Sequence, residues 1–242
     1  MRASGRPTPV EIVNVLTHGA GNEIEGFAVA GFFAGLPDSV KDLILGNNAF
    51  SSFIKVSDAL VNQAKAARLT NQVKNYVSNW NSSPGFTEAC LATLISAYLR
   101  SAGQDMIAKE YESLASLFSF RSRSEASKAA DKIVSDLISN GYLASPHITR
   151  SGSQIVHLIG HSRGASVNAR VARLLTEKGY KIDQYTALDG YDQQWRPPLG
   201  AMGDLNIAEE ISSANVGRKL NYRAGIGGGF IPEAIRFSTI RE

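Results

Sequence analysis

The chain has little sulfur, no strong charge of one sign and no long apolar run. Cys90 is the one cysteine among 242 residues, which excludes an internal disulfide. It stands in "TEACLATLISAYL", on the apolar face of an expected helix, where a thiol packs as a small hydrophobe. No apolar stretch approaches the ~18 residues of a membrane-spanning helix. The opening "MRASGRPTPVEIVNVL" lacks the apolar core and cleavage site of a secretory signal. The expectation is a soluble chain, either one not exported by that route or a segment of a longer one. The 25 basic and 22 acidic residues are interspersed and leave a net charge of +3, so no basic stripe for nucleic acid arises. C-x-x-C, H-E-x-x-H and P-loop runs are all missing, and no metal or other cofactor is expected. "GIGGGF" (225–230) does not fit a dinucleotide fingerprint, because Phe230 stands where the third glycine belongs. It reads as a loop.

What is present is ordinary globular material, 43% hydrophobic and 19% charged, enough for a single domain over 1–242 with its own core. Val10 to Leu16 is a short β-branched run stopped by "THGAG", and reads as a buried strand followed by a glycine loop. From about Glu23 to Ala102 the apolar period becomes helical. One helix is expected from an N-cap at Ser57, with Val61, Leu69, Val73, Tyr76, Val77 and Trp80 near one face. Another starts at Thr87, carries Leu91, Leu94, Ile95, Tyr98 and Leu99 on one stripe and stops at Gly103. "SVKDLILG" is a third, shorter one. "QDMIAKEY" reads as a strand. "SEASKAADKIVSDLISNG" reads as a helix capped by Ser124, packed by Ala130, Ile133 and Leu137 and ended by Gly141. "SQIVHLIG" and "IDQYTALDG" are further strands, and "GRKLNYRAG" and "AIRFSTI" weaker ones. Alternating strands and helices predict a mostly parallel sheet covered on both faces, with a helical insertion over 23–102 after the first strand. Chemistry in such sheets sits at the carboxyl ends of the strands. His18, Ser162 and Asp189 are expected there.

Gly160-His161-Ser162-Arg163-Gly164 fits G-x-S-x-G. An apolar strand leads in and an amphipathic helix, expected over Arg163 to Lys178, leads out. The turn between them is sharp enough to force the serine into a strained backbone conformation. Glycines two residues before and after relieve the collisions that side chains would cause. The hydroxyl of Ser162 then stands above the sheet edge, and the backbone N–H of Arg163 points from a helix N-terminus toward a developing oxyanion. The plainer reading of Ser162 is an N-cap in an ordinary strand-to-helix loop. Asp189 ends an apolar strand before Gly190, so its carboxylate emerges at the same edge. A strand-ending turn aspartate is the alternative, and Asp192 and Asp204 are in reserve. Trp195, before Arg196-Pro197-Pro198, reads equally as a pocket wall or a loop cap.

"VHLIGHSRGA" with the later "YTALDG" resembles the lipase-type branch of the α/β-hydrolase superfamily, and is similar to bacterial lipase-like domains that read GHSRG followed by a strand ending Leu-Asp. The resemblance covers about residues 150–192. It implies Ser162 as nucleophile, Asp189 as triad acid and the chain order Ser, Asp, His. It implies that "THGAG" is the oxyanion strand, with a backbone N–H near Gly19 or Ala20 as second donor. Such relatives often carry an aspartate-tryptophan-serine run on the strand before the serine; the matching place here reads "AKEYES". The implied activity is hydrolysis of carboxylic esters of lipids or other acyl groups, without a cofactor, with peripheral contact to a lipid surface. An acyltransferase or thioesterase would use the same machinery. The helical block over 23–102 would serve as a cap or lid, or as plain scaffold.

All four histidines, His18, His147, His157 and His161, precede Asp189. His157 lies inside a strand and His161 is the variable position of the turn. His147 leads into the wrong end of the serine strand. Three readings follow: a base supplied by a segment beyond this chain, His18 as the base, or a protein of this fold that binds without turnover. A serine without a base is a poor nucleophile at neutral pH.

Overall fold

The structure, a computed structural model, describes residues 10–19, 49–68, 72–78, 80, 85–188 and 205–222. Among them, five strands form one sheet: β1 (Glu11–Thr17), β2 (Val73–Ser78), β3 (Gln154–His161), β4 (Ile182–Leu188) and β5 (Val216–Tyr222). All neighbours are parallel, in the order β2-β1-β3-β4-β5. The direction of winding reverses between β1 and β3, so the switch point of this doubly wound sheet, the place where such sheets bind ligands, lies at the carboxyl ends of those two strands. β1 is buried from Val13 through Thr17, as an inner parallel strand covered on both faces should be. Outermost in that order among the described residues, β5 carries Arg218 and Lys219, charges of the kind that discourage pairing with another sheet.

One face of the sheet holds the main core. Val13, Val15, Val156, Leu158, Tyr185 and Ala187 project there against α5 (Arg163–Glu177), the C-terminal half of α3 (Asp105–Ser139) and α6 (Ile207–Ser212). The other face meets α1 (Ala49–Ala66) through Leu16, Ile159, Val77 and Leu60. On that second face one row is polar across all five strands. Asn75, Asn14, His157, Gln184 and Arg218 are successive register partners. Asn14 donates to Asn75 Oδ1 at 2.9 Å, and His157 Nε2 lies in hydrogen-bond range of Gln184 Nε2 and of the Thr186 hydroxyl, both at 2.8 Å.

Three expectations need correction. The helix from Ser57 does not continue to Trp80: α1 begins at Ala49, passes through Ser57 and ends at Ala66, and Arg68 turns the chain at φ 59. β2 follows, so the block 23–102 is not wholly helical. Val73, Tyr76 and Val77 suit a pleated edge, and Asn75 is fixed by Asn14 and by the Ser57 carbonyl. The expected strand "QDMIAKEY" is instead the start of α3, which runs 35 residues. No glycine or proline interrupts 104–140, and Ala, Met, Lys and Glu favour helix. Ser124 is therefore mid-helix rather than a cap, whereas Ala130, Ile133 and Leu137 are buried as expected and Gly141 follows the end at φ 69. The third correction concerns α2 (Phe86–Ser101). It buries Ala89, Ala92, Thr93 and Ser96, while Tyr98 of the expected apolar stripe is exposed.

α2 and α3 form a hairpin with a narrow seam. Ala108, Ala115, Ser119 and Ser122 of α3 are buried facing the small residues of α2. Gly85, at φ +80 before α2, lies so close to α3 that a Cβ would stand 2.4 Å from the Ser122 nitrogen. The large side chains Met106, Leu117 and Phe120 point outward. "AIRFSTI" and "SVKDLILG" lie outside the described residues. No helix among the described residues is long and apolar enough to cross a membrane.

Candidate functional site

The site is built from the turn between β3 and α5. Ser162 has φ 49 and ψ −123, and Arg68 is the only other non-glycine at positive φ among the described residues. These angles are those of the first corner of a type II′ turn, a place that glycine normally fills. Holding a serine there stores on the order of 1–3 kcal/mol. The Ser162 N–H extends the β3–β4 ladder to the Leu188 carbonyl at 2.9 Å, and its carbonyl accepts the Ala165 N–H at 3.0 Å as α5 begins. Strand and helix thus leave no slack at this residue.

Three glycines make the turn sterically feasible. A Cβ on Gly160 would lie 2.5 Å from the Ala165 Cα and the Gly164 oxygen. One on Gly164 would lie 2.1 Å from the Thr17 carbonyl oxygen and 2.4 Å from that of His18. One on Gly19 would lie 2.7 Å from the Ser162 Cβ and 3.2 Å from its Oγ. The first turn of α5 is therefore flush against the end of β1, and the glycine loop after β1 is flush against the serine. Thr17 and Asn168 reinforce this join through a 2.7 Å side-chain hydrogen bond. Arg163 is the first residue of α5, where backbone N–H groups lack helical partners and carry the positive end of the helix dipole.

His18 is buried beside this loop. Its Nδ1 donates to the Gly19 carbonyl at 2.7 Å; a carbonyl only accepts, so Nε2 is the unprotonated nitrogen of the neutral ring. Burial lowers its pKa, and the neighbouring His161 lowers it further. Both effects favour the neutral ring. His157 sits mid-strand in the polar row, pushed down to about 4 by burial. His147 lies in α4 (Pro146–Ser151), ahead of β3 and so at the opposite end of the sheet from Ser162. The structure thus brings together His18, Gly19, Ser162 and Arg163. Asp189 and Ala20 lie outside the described residues, as do Asp192, Asp204 and Trp195. β4 ends at Leu188, on the edge where Ser162 stands.

Two participants were not visible in the sequence. Trp80, expected on a helix face, follows β2, and its Nε1 donates to the His18 carbonyl at 3.0 Å. Arg163, valued for its backbone, has a fully buried side chain. Its Nη2 donates to the Ser122 carbonyl at 2.9 Å and to the Ser122 hydroxyl at 2.7 Å, and its guanidinium carbon lies 5.0 Å from the Trp80 ring centroid. The β-branched and aromatic "VKNYV" was the one signal that would have placed Trp80 at a strand end. "AKEYES", matched in the sequence to the strand before the serine, lies in α3; the preceding strand is β2. Among the described residues no group of three or more His, Cys, Asp or Glu stands together as a metal site. Comparison with protein-family models, curated proteins and solved structures gives no match for the chain.

Proposed function

We propose that the protein is a serine hydrolase of carboxylic esters, of the α/β-hydrolase type, acting on lipid or other acyl esters. The observation that carries this reading is the Ser162 backbone, strained at the switch point of a parallel sheet with a helix N-terminus directly after it. Strain of this kind persists where function requires it. In this reading Ser162 Oγ attacks the acyl carbon, and its proton passes to a base and then to the departing alcohol as the ester C–O bond breaks. Water attacks the acyl-serine by the same proton route, releasing the acid and restoring the hydroxyl. The Arg163 N–H and an N–H at Gly19 or Ala20 hold the oxyanion. Asp189, next in sequence after Leu188, orients a histidine supplied by a further segment; with His18 as the base, the Gly19 carbonyl takes that part, since it already holds Nδ1. His18 is the candidate base among the described residues, since the loop it begins is packed against the Ser162 side chain. Tyr98, Met106, Leu117 and Phe120 on the outside of the α2–α3 hairpin offer apolar area for resting on a lipid surface. The run after β2, Asn79-Trp80-Asn81, keeps the tryptophan of the aspartate-tryptophan-serine pattern and neither its aspartate nor its serine.

A fluorophosphonate probe tests the reading. Labelling of wild type that is lost in Ser162→Ala supports it; no labelling of a folded protein overturns it. Replacing His18 with glutamine should reduce labelling to the Ser162→Ala level if His18 is the base. A second reading, a binding module on this fold, is favoured by the position of all four histidines before Asp189. It predicts an unlabelled, folded wild type that still binds acyl esters.

A further inference from the structure

We infer that the Arg163 side chain and Trp80 form a positioning clamp that sets the direction of the Gly19 N–H beside Ser162. Its catalytic consequence rests on the hydrolase reading above; its structural claim does not.

Arginine is almost never fully buried without strong compensation. Here the compensation comes from two elements distant in sequence. Ser122 of α3 takes Nη2 with both its carbonyl and its hydroxyl. The Trp80 ring lies in cation–π range at 5.0 Å. The guanidinium thereby fixes the indole, whose Nε1 donates to the His18 carbonyl. That carbonyl belongs to the same trans peptide unit as the Gly19 N–H, and in a trans peptide the two groups point in opposite directions. Anchoring the carbonyl on Trp80 turns the Gly19 N–H away from Trp80. The His18 ring holds the next carbonyl, that of Gly19, at 2.7 Å. Gly164 closes the other side, with its would-be Cβ 2.4 Å from the His18 oxygen. Two consecutive carbonyls are therefore pinned within a loop that touches the Ser162 side chain. The α2–α3 hairpin joins the same chain of contacts, because Gly85 presses directly on the Ser122 backbone. Displacing an oxyanion donor by about 1 Å is enough to lower a rate by roughly 100-fold, so the clamp matters to turnover without touching substrate.

The decisive variant is Trp80→Phe, which keeps a ring face for Arg163 and removes the indole donor. Hydrogen exchange read by mass spectrometry should quicken about tenfold in peptides covering 16–19 and stay unchanged in those covering 165–177. The fluorophosphonate labelling rate at Ser162 should fall about tenfold. With a chromogenic acyl ester kcat should fall while KM holds, at a melting temperature close to wild type; a purely structural role would instead move the melting temperature and leave the kcat-to-KM split alone. Ser122→Ala, a milder change that preserves folding, should shift exchange and labelling in the same direction by about threefold, and Arg163→Lys should not restore the lost tie to Ser122. Wild-type exchange and labelling in both Trp80→Phe and Ser122→Ala overturn the clamp. If wild type is not labelled at all, the hydrolase reading has failed, and exchange at 16–19 alone decides the clamp.

Discussion

The sheet edge at Ser162 and the α2–α3 hairpin solve the same packing problem with different residues. Both bring backbones closer than ordinary side chains allow. At the edge, Gly19, Gly160 and Gly164 permit contacts in which a single added carbon would sit 2.1–2.7 Å from its neighbours. In the hairpin, alanines and serines line the seam and the bulky residues face out, with Phe120 72% and Met106 79% exposed. Interaxial distance follows the size of the side chains at the contact, so the hairpin is a thin pair rather than a core of its own. α3, about 50 Å long at 1.5 Å per residue, runs from that hairpin into the main core and delivers Ser122 to Arg163. The lesson is that smallness serves geometry in both places, but only at the edge does the close approach surround a strained side chain, that of Ser162, at the carboxyl ends of the strands.

Breaking the edge should have the largest effect. Gly164→Ala drives a methyl into the Thr17 and His18 carbonyls, neither of which belongs to a flexible side chain. A loss of at least about 3 kcal/mol is expected, seen as a melting temperature lower by roughly 10 °C or as failure to fold. A melt within 2 °C of wild type, on the scale of those estimates, would show that α5 is not flush against β1. Next comes the hairpin seam. Ala115→Leu should destabilise by about 1–3 kcal/mol, while Leu117→Ser, two residues on but outward, should stay within about 0.5 kcal/mol. Thermal melts that reverse this ranking would invert the assignment of the faces.

The third effect is pH-dependent and belongs to the polar row. The His157 ring is held neutral to about pH 4 when folded, whereas an unfolded histidine takes a proton near 6.5. Between those values the unfolded chain binds more protons, so stability rises with pH through the window and is lost as pH falls through it. After allowance for partial solvent exposure the contribution is roughly 2 kcal/mol. Buried His18 adds in the same direction. Denaturant melts at pH 7 and pH 4.5 should differ accordingly, and His157→Gln should flatten the difference. The smallest effect is the most diagnostic of strain. Ser162→Gly should gain about 1 kcal/mol over Ser162→Ala, because glycine accepts φ 49 freely and offsets its own entropy cost. Equal stabilities for the two would mean that the turn stores nothing.

Much of this was legible from residues alone. β1, β3 and β4 announce themselves as short runs rich in apolar and β-branched residues, and α5 by the glycine turn before it and Gly179 after it, with boundaries within a residue or two of those expected. β5 falls within "GRKLNYRAG", one of the two weaker strand candidates. β2 was hidden because its six residues continue the apolar spacing of the helix ahead of them. The start of α3 was hidden because its buried positions are alanines and serines, which carry no weight when large apolar residues are counted. The glycine loop and Ser162 were found from local sequence, since their geometry is local. The Arg163 clamp was not, because a buried cation acquires its meaning from Ser122 and Trp80, which only the fold brings near.

The amide-rich row from Asn75 to Arg218 bears on how the strands find their alignment. Parallel strands joined by long crossovers have no tight turn to set their offset, and an aliphatic surface alone is forgiving of error. A displacement of β1 by one residue would bring Asn14 to the side that Val13 and Val15 fill and strand its amide in hydrocarbon. The row thus works like the teeth of a key: it adds little to the grip of the finished sheet, yet it admits one seating and rejects its neighbours.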